Sequence, residues 1–183
     1  MHAFTAHWLG DPTAYEQGRL TLNPLKHLDL YTSILLPIIL VLLGLPPFFV
    51  AKPVPFNPTR VKYEEFGVAL IGIAGPLTNL ALALLGAVFL HGIGGQLGSG
   101  AINAVETFVL VNVALFVFNM IPFPPLDGSR LLYAFAPEPL QRLMYTIESG
   151  GFFTIMIFIF LFFPFLGPAV ISIDNAILRI LLG

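Results

Sequence analysis

The sequence predicts an all-α, polytopic integral membrane protein with about four full spans and a partial N-terminal helix. Two observations predict it. Charged residues make up 10% of the 183 positions and apolar ones 57%, against about 25% charged in a soluble domain. The charges that exist also bracket long uncharged stretches: 22 residues between Asp29 and Lys52, 40 between Glu65 and Glu106, 20 between Glu106 and Asp127, and 25 between Glu148 and Asp174. A span needs about 20 apolar residues at about 1.5 Å rise each. The expected spans are therefore 31–51, 66–91, 103–122 and 150–173, with 174–183 extending the last or lying at the interface.

Composition also excludes functions. A net charge of −2 with no basic stripe leaves nucleic-acid binding without an electrostatic footprint. The absence of cysteine removes disulfides and thiolate metal sites. No basic region followed by an apolar stretch marks a cleavable leader at the N-terminus. Residues 1–9 read instead as the last two turns of a helix. The whole chain, 1–183, is expected to form one membrane-embedded domain.

The joints between spans follow from turn formers. Arg19-Leu20-Thr21-Leu22 alternates between Gly18 and Asn23-Pro24, which predicts a minor β-hairpin or extended element near 18–23. Residues 52–60 carry prolines at 53, 55 and 58 and are expected to be extended rather than helical. Gly92–Gly100 is expected to be a flexible turn. An amphipathic piece is expected around Glu138–Ile147, inside the polar stretch 123–149. The Gly92–Gly100 loop has no basic residue, which assigns it to the non-cytoplasmic side and 52–65 and 123–149 to the cytoplasmic side.

Among polar residues, Asp127 is the strongest candidate for chemistry. It follows Pro122-Phe123-Pro124-Pro125-Leu126, and three prolines in four positions must break the helix before it. Such a break at membrane depth is tolerated only inside protein or beside water. A carboxylate there needs a partner or a metal. The plain alternative is an Asp that caps the next helix at Gly128-Ser129. Asn79, in Ala74-Gly75-Pro76-Leu77-Thr78-Asn79, is either helix–helix glue or a substrate-binding amide. His2 and His7 project about 140° apart on a helix and do not form a metal pair. His27 reads as a surface or supporting residue, and His91 as an interfacial one.

Taken in order, these motifs resemble the site-2 protease family of intramembrane zinc metallopeptidases, in its short prokaryotic form. The resemblance rests on His2-Ala3, Gly10-Asp11-Pro12-Thr13-Ala14, Gly18 through Pro24, His27-Leu28-Asp29, Ala51 through Pro55, Ala74 through Asn79, and Asn119 through Arg130. It covers nearly the whole chain. It implies zinc-dependent hydrolysis of peptide bonds within or near transmembrane segments. The partners it implies are a transmembrane or membrane-associated protein substrate and the lipid bilayer, in a multi-pass protein of the cell membrane. It also implies His2 and Asp127 as zinc ligands, Asn79 as a substrate or transition-state support, and Asn119 as a support of the broken helix. Lys52–Pro58 would pair with an unwound substrate.

The family's helical H-E-x-x-H motif aligns its second histidine with His2. The first histidine and the general-base Glu then fall before Met1, and the chain as written offers no general base. The expectation is that in-frame codons directly upstream of Met1 read His-Glu-x. Two other classes compete. One is a catalytically inactive membrane scaffold that binds transmembrane helices. The other is a transporter, which ranks low because the spans hold almost no ionisable groups and no repeat is visible.

Overall fold

The computed structural model describes residues 1–21, 23, 35, 38, 42 and 54–183, apart from the side chains of residues 152 and 155. Apart from positions 35, 38 and 42, the expected span 31–51 lies outside the described residues, as do His27 and Lys52-Pro53. The chain forms two compact units, one of residues 2–64 and one of Met1 with residues 65–183.

The first unit begins with helix α1, His2–Trp8, and the short α2, Thr13–Glu16. Asp11 lies between them and is completely buried. Its carboxylate accepts hydrogen bonds from the Thr13 hydroxyl (2.5 Å), the Thr13 amide (3.1 Å) and the Asn57 amide (2.6 Å). The Lys62 amide donates to Leu9 O at 2.8 Å. The 57–62 segment is thus pinned to the end of α1 at two points. Pro58–Arg60 forms a 3₁₀ turn capped by the Asn57 side chain, so the expectation of a wholly non-helical 52–60 is corrected there. Proline is tolerated at the first position of a helical turn because its missing N–H has no partner to lose. No strand is present among the described residues. In the expected hairpin, residues 18–21 are turn and irregular chain, with Gly18 at φ +63.

Burial raises the Asp11 pKa, but the hydrogen bonds from Thr13 and Asn57 and the charge of Arg60 outweigh it, and the net direction is downward. A lowered folded pKa adds stability above the ordinary Asp value of about 3.9. That stability is lost as pH falls through the folded value. Asp11→Ala leaves several donors unsatisfied, at about 2 kcal/mol. The Asn57 amide should then exchange with deuterium about 30-fold faster, while amides in the middle of the 65–183 helices are unchanged.

The second unit is built on three helices long and apolar enough to cross a membrane. Helix α3, Glu64–Ile93, continues through a 3₁₀ turn to Gln96; α4 spans Ser99–Asn119; α8 spans Phe163–Leu182 and is preceded by a π-helical turn, Phe158–Phe162. Between α4 and the π turn lie α5 (Gly128–Phe135), α6 (Glu138–Ser149) and the short α7 (Phe152–Ile157). Helix α6 realises the expected amphipathic piece. One expectation is corrected: Gly92–Gly100 is mostly helical, because α3 runs to Ile93 and α4 starts at Ser99. The last helical stretch long and apolar enough to cross a membrane lies over 158–182, so the tail 174–183 extends it, one of the two alternatives expected for that tail, and it contains Asp174 and Arg179. A single charge marks the end of an uncharged run without interrupting helical hydrogen bonding.

Side chains of Ala83, Ala87, Val109, Val113, Val117 and Leu181 form the core of this unit. A Cβ on Gly86 would lie 2.7 Å from Val109 Cγ2, so glycine is what lets α3 and α4 approach. Small residues serve this purpose in membranes, where packing replaces the hydrophobic effect between helices. At the far end of α3, His91 Nε2 lies 2.8 Å from Leu181 O and joins α3 to α8. The outer faces carry large apolar side chains, with Phe165 80% and Ile180 82% exposed. Burying such surface requires lipid or partner helices.

Candidate metal centre

Helix α4 ends at Asn119, as the prolines require. The chain then turns through 120–127, and its backbone groups are paired locally. The Met120 amide donates to Phe116 O, the Ile121 amide to Phe118 O, the Phe123 amide to Ile121 O and the Leu126 amide to Phe123 O. The Asn119 side chain donates to Leu115 O at 2.9 Å, adding a bond to the last turn before the break. Aromatic rings cover the break from outside. Phe123 stacks on Phe158 with centroids 4.7 Å apart and meets Phe162 at 5.3 Å.

Asp127 sits at the end of this turn, directly before α5, with φ −59 and ψ −34. Its side chain makes no capping bond to α5, so the capping alternative is not realised. The helix start is served instead by Ser129, whose hydroxyl and amide both donate to Leu126 O, at 2.7 and 3.0 Å.

Two glycines position Asp127, and the sequence alone did not single them out. A Cβ on Gly128 would lie 2.5 Å from the Met120 carbonyl carbon and 2.7 Å from Ile121 O. The start of α5 therefore presses against the backbone that leaves α4. A Cβ on Gly72 would lie 2.6 Å from Arg130 Cβ and 3.0 Å from Asp127 O. Helix α3 therefore touches the same turn from another side. An ion pair between Arg130 and Glu148 ties α5 to α6.

Asn79 lies seven residues beyond Gly72, about 20° away around α3 and about 10 Å along it. It shares the face that Gly72 presents to Asp127, together with the buried Pro76. Its amide makes no hydrogen bond among the described residues.

His2 opens α1 in the first unit, while Asp127, Asn79 and Asn119 belong to the second. His7 faces Tyr15, with ring centroids 5.7 Å apart. No group of three His, Asp or Glu side chains able to hold a metal is present among the described residues. Imidazole and carboxylate are donors of the kind zinc takes, but a catalytic zinc uses three protein ligands.

Residues 91–163, which contain the whole proline break and Asp127, match the model of peptidase family M50. A Bacillus subtilis protein named "Putative zinc metalloprotease YwhC" is 37% identical over 177 residues, 93% of this chain and 76% of that protein. The chain belongs to peptidase family M50. This bears out the resemblance to site-2 proteases seen in the motifs. Other M50 relatives named "Putative zinc metalloprotease Rip2" occur in Mycolicibacterium smegmatis, 28% identical over 85% of this chain and 59% of the relative, and in Mycobacterium tuberculosis, 30% identical over 77% and 53%. The chain thus spans little more than half the length of the mycobacterial relatives. No solved structure matches it.

Proposed function

We propose that this M50 chain contributes to an intramembrane zinc peptidase that hydrolyses peptide bonds in or near transmembrane segments. His2 and Asp127 act as zinc ligands. Zinc, when bound, supplies a Lewis acid and a nucleophilic water at neutral pH. The observation that carries the proposal is the Asp127 carboxylate itself. It stands at a proline-broken helix end, uninvolved in capping, with backbone packed around it at Gly72 and Gly128.

The residues present supply binding and orientation. The break keeps Asp127 and the backbone groups around it at the end of an apolar helix, where a substrate helix must unwind to expose a carbonyl. Asn79, on the face of α3 that meets this turn, offers an amide to the substrate backbone or to the oxygen on which charge develops. Asn119 stiffens the last turn of α4. Pairing of an extended substrate with Lys52–Pro58 has less to draw on. Pro53, Pro55 and Pro58 lack N–H donors, and the Asn57 amide is taken by Asp11. The general base belongs to an H-E-x-x-H motif whose second histidine is His2.

The test is cleavage of a membrane-embedded reporter by the protein read from the natural frame, with the codons ahead of Met1 included. The expected result is specific cleavage that disappears when the motif's Glu is changed to Gln. Asn79→Ala should lower kcat by about 10²–10³, the usual cost of an oxyanion donor. Codons that do not read His-Glu-x, or cleavage indifferent to the Glu, would count against the proposal. A helix-binding scaffold would instead capture the reporter uncut.

A further inference from the structure

Arg130 and Glu148 stand at helix ends that disfavour them. Arg130 lies in the first turn of α5, where the helix macrodipole favours anions. Glu148 lies in the last turn of α6, where it favours cations. Neither charge stabilises its own helix. They meet in an ion pair whose side chains are only 24% and 32% exposed. The pair Arg142–Glu138 within α6 differs: it is 77% and 72% exposed and follows from i,i+4 spacing alone.

The sheltered pair closes one end of a helical hairpin. Helix α6 folds back along α5. The Gln141 side-chain amide donates to Tyr133 O at 3.1 Å near the joint, and Arg130 meets Glu148 at the other end. That other end is the one next to Asp127. Arg130 also touches the Asp127 turn and α3. Its own amide donates to Asp127 O at 3.0 Å. Its stem occupies the space beside Gly72, where a Cβ would lie 2.6 Å from Arg130 Cβ and 2.9 Å from Arg130 Cγ. One residue therefore links Asp127, α3 and α6.

We propose that Arg130 is a positioning residue for Asp127, with Glu148 as the anchor through which it acts. The proposal rests on the reading of Asp127 as a zinc ligand. Helix α5 has eight residues and is held by its contacts rather than by its own propensity. Asp127 directly precedes it, so any tilt of α5 swings the carboxylate. A ligand must be held to within about 0.5 Å to serve a site. Arg130, clamped between Gly72 and Glu148, removes that freedom.

Zinc titration of the full protein in detergent tests this. Arg130→Met keeps a stem against Gly72 and removes the charge. It should weaken zinc binding about 10–100-fold, the usual loss when the support of a ligand is removed. Glu148→Ala should give a similar loss, and combining the two should add little, because both act through one pair. Arg130→Lys, which restores the cation, should recover most of the affinity. Arg142→Met removes the same charge from an exposed pair in the same hairpin and should leave affinity unchanged. Thermal midpoints separate lost positioning from lost folding. Gly86→Ala crowds Val109 in the α3–α4 contact, and should lower the midpoint while zinc affinity stays as it was. Zinc binding weakened by Asp127→Ala but not by Arg130→Met or Glu148→Ala would overturn the proposal alone. So would losses that multiply in the double form, or an equal loss in Arg142→Met. Zinc binding indifferent to Asp127→Ala would overturn the reading of Asp127 as a ligand, and the proposal with it.

Discussion

Replacing Gly128 by Ala should lower the thermal midpoint of the protein in detergent by about 6–12 °C. The added methyl carbon meets backbone, the Met120 carbonyl carbon at 2.5 Å and Ile121 O at 2.7 Å. Contacts below 3 Å are relieved only by moving something, and here what must move is the chain leaving α4. Overpacking in a filled site costs about 1–3 kcal/mol and more when backbone has to shift. About 3 kcal/mol in a chain of this size corresponds to the stated range. Gly92→Ala provides the control. It lies in helix with nothing near its virtual Cβ, and should change the midpoint by less than about 2 °C. A Gly128→Ala protein as stable as the parent would mean that the start of α5 does not press on the proline break.

Asp127→Ala should show its effect in metal binding, where a large change is expected. The carboxylate makes no capping bond to α5, so its removal costs the helix no such contact. As the proposed zinc ligand it would contribute directly. Losing only a residue that supports a ligand costs about 10–100-fold in metal affinity, and losing the ligand should cost at least that. A scaffold with no metal site predicts no zinc-dependent difference between the two proteins.

Much of this was legible in the sequence, for identifiable reasons. The prolines at 122, 124 and 125 fix where α4 ends, because proline both lacks a donor and clashes with the preceding turn. Asp127 stood out because a carboxylate beside an apolar run needs a reason. The three described helices long and apolar enough to cross a membrane followed from hydropathy, and for the last the sequence left 174–183 either as its extension or at the interface. Charges were used as boundaries, while α8 runs past Asp174 and Arg179 to Leu182. A helix at residues 1–9 was also foreseen, and α1 covers His2–Trp8.

What escaped was tertiary. Gly72 and Gly128 look like ordinary glycines in sequence, and only the three-dimensional approach of Arg130 and Met120 shows why a side chain cannot stand there. Their one signal was their place, in a span and beside Asp127. Asp11 was noticed as part of a motif, but its bond to the Asn57 amide, 46 residues away, has no local trace. The 3₁₀ turn at Pro58–Arg60 was missed because three prolines were weighed as helix breakers, without allowing that one of them begins a turn.

The central claim is that His2 and Asp127 bind one zinc ion. It is tested most directly by zinc titration of the full protein and its His2→Ala, Asp127→Ala and doubly substituted forms. If both residues hold the same ion, each single substitution weakens binding by at least about 10–100-fold. The double substitution is then scarcely worse than either single one, because the two sites are coupled. Losses that multiply in the double form, or an affinity untouched by Asp127→Ala, would contradict the account.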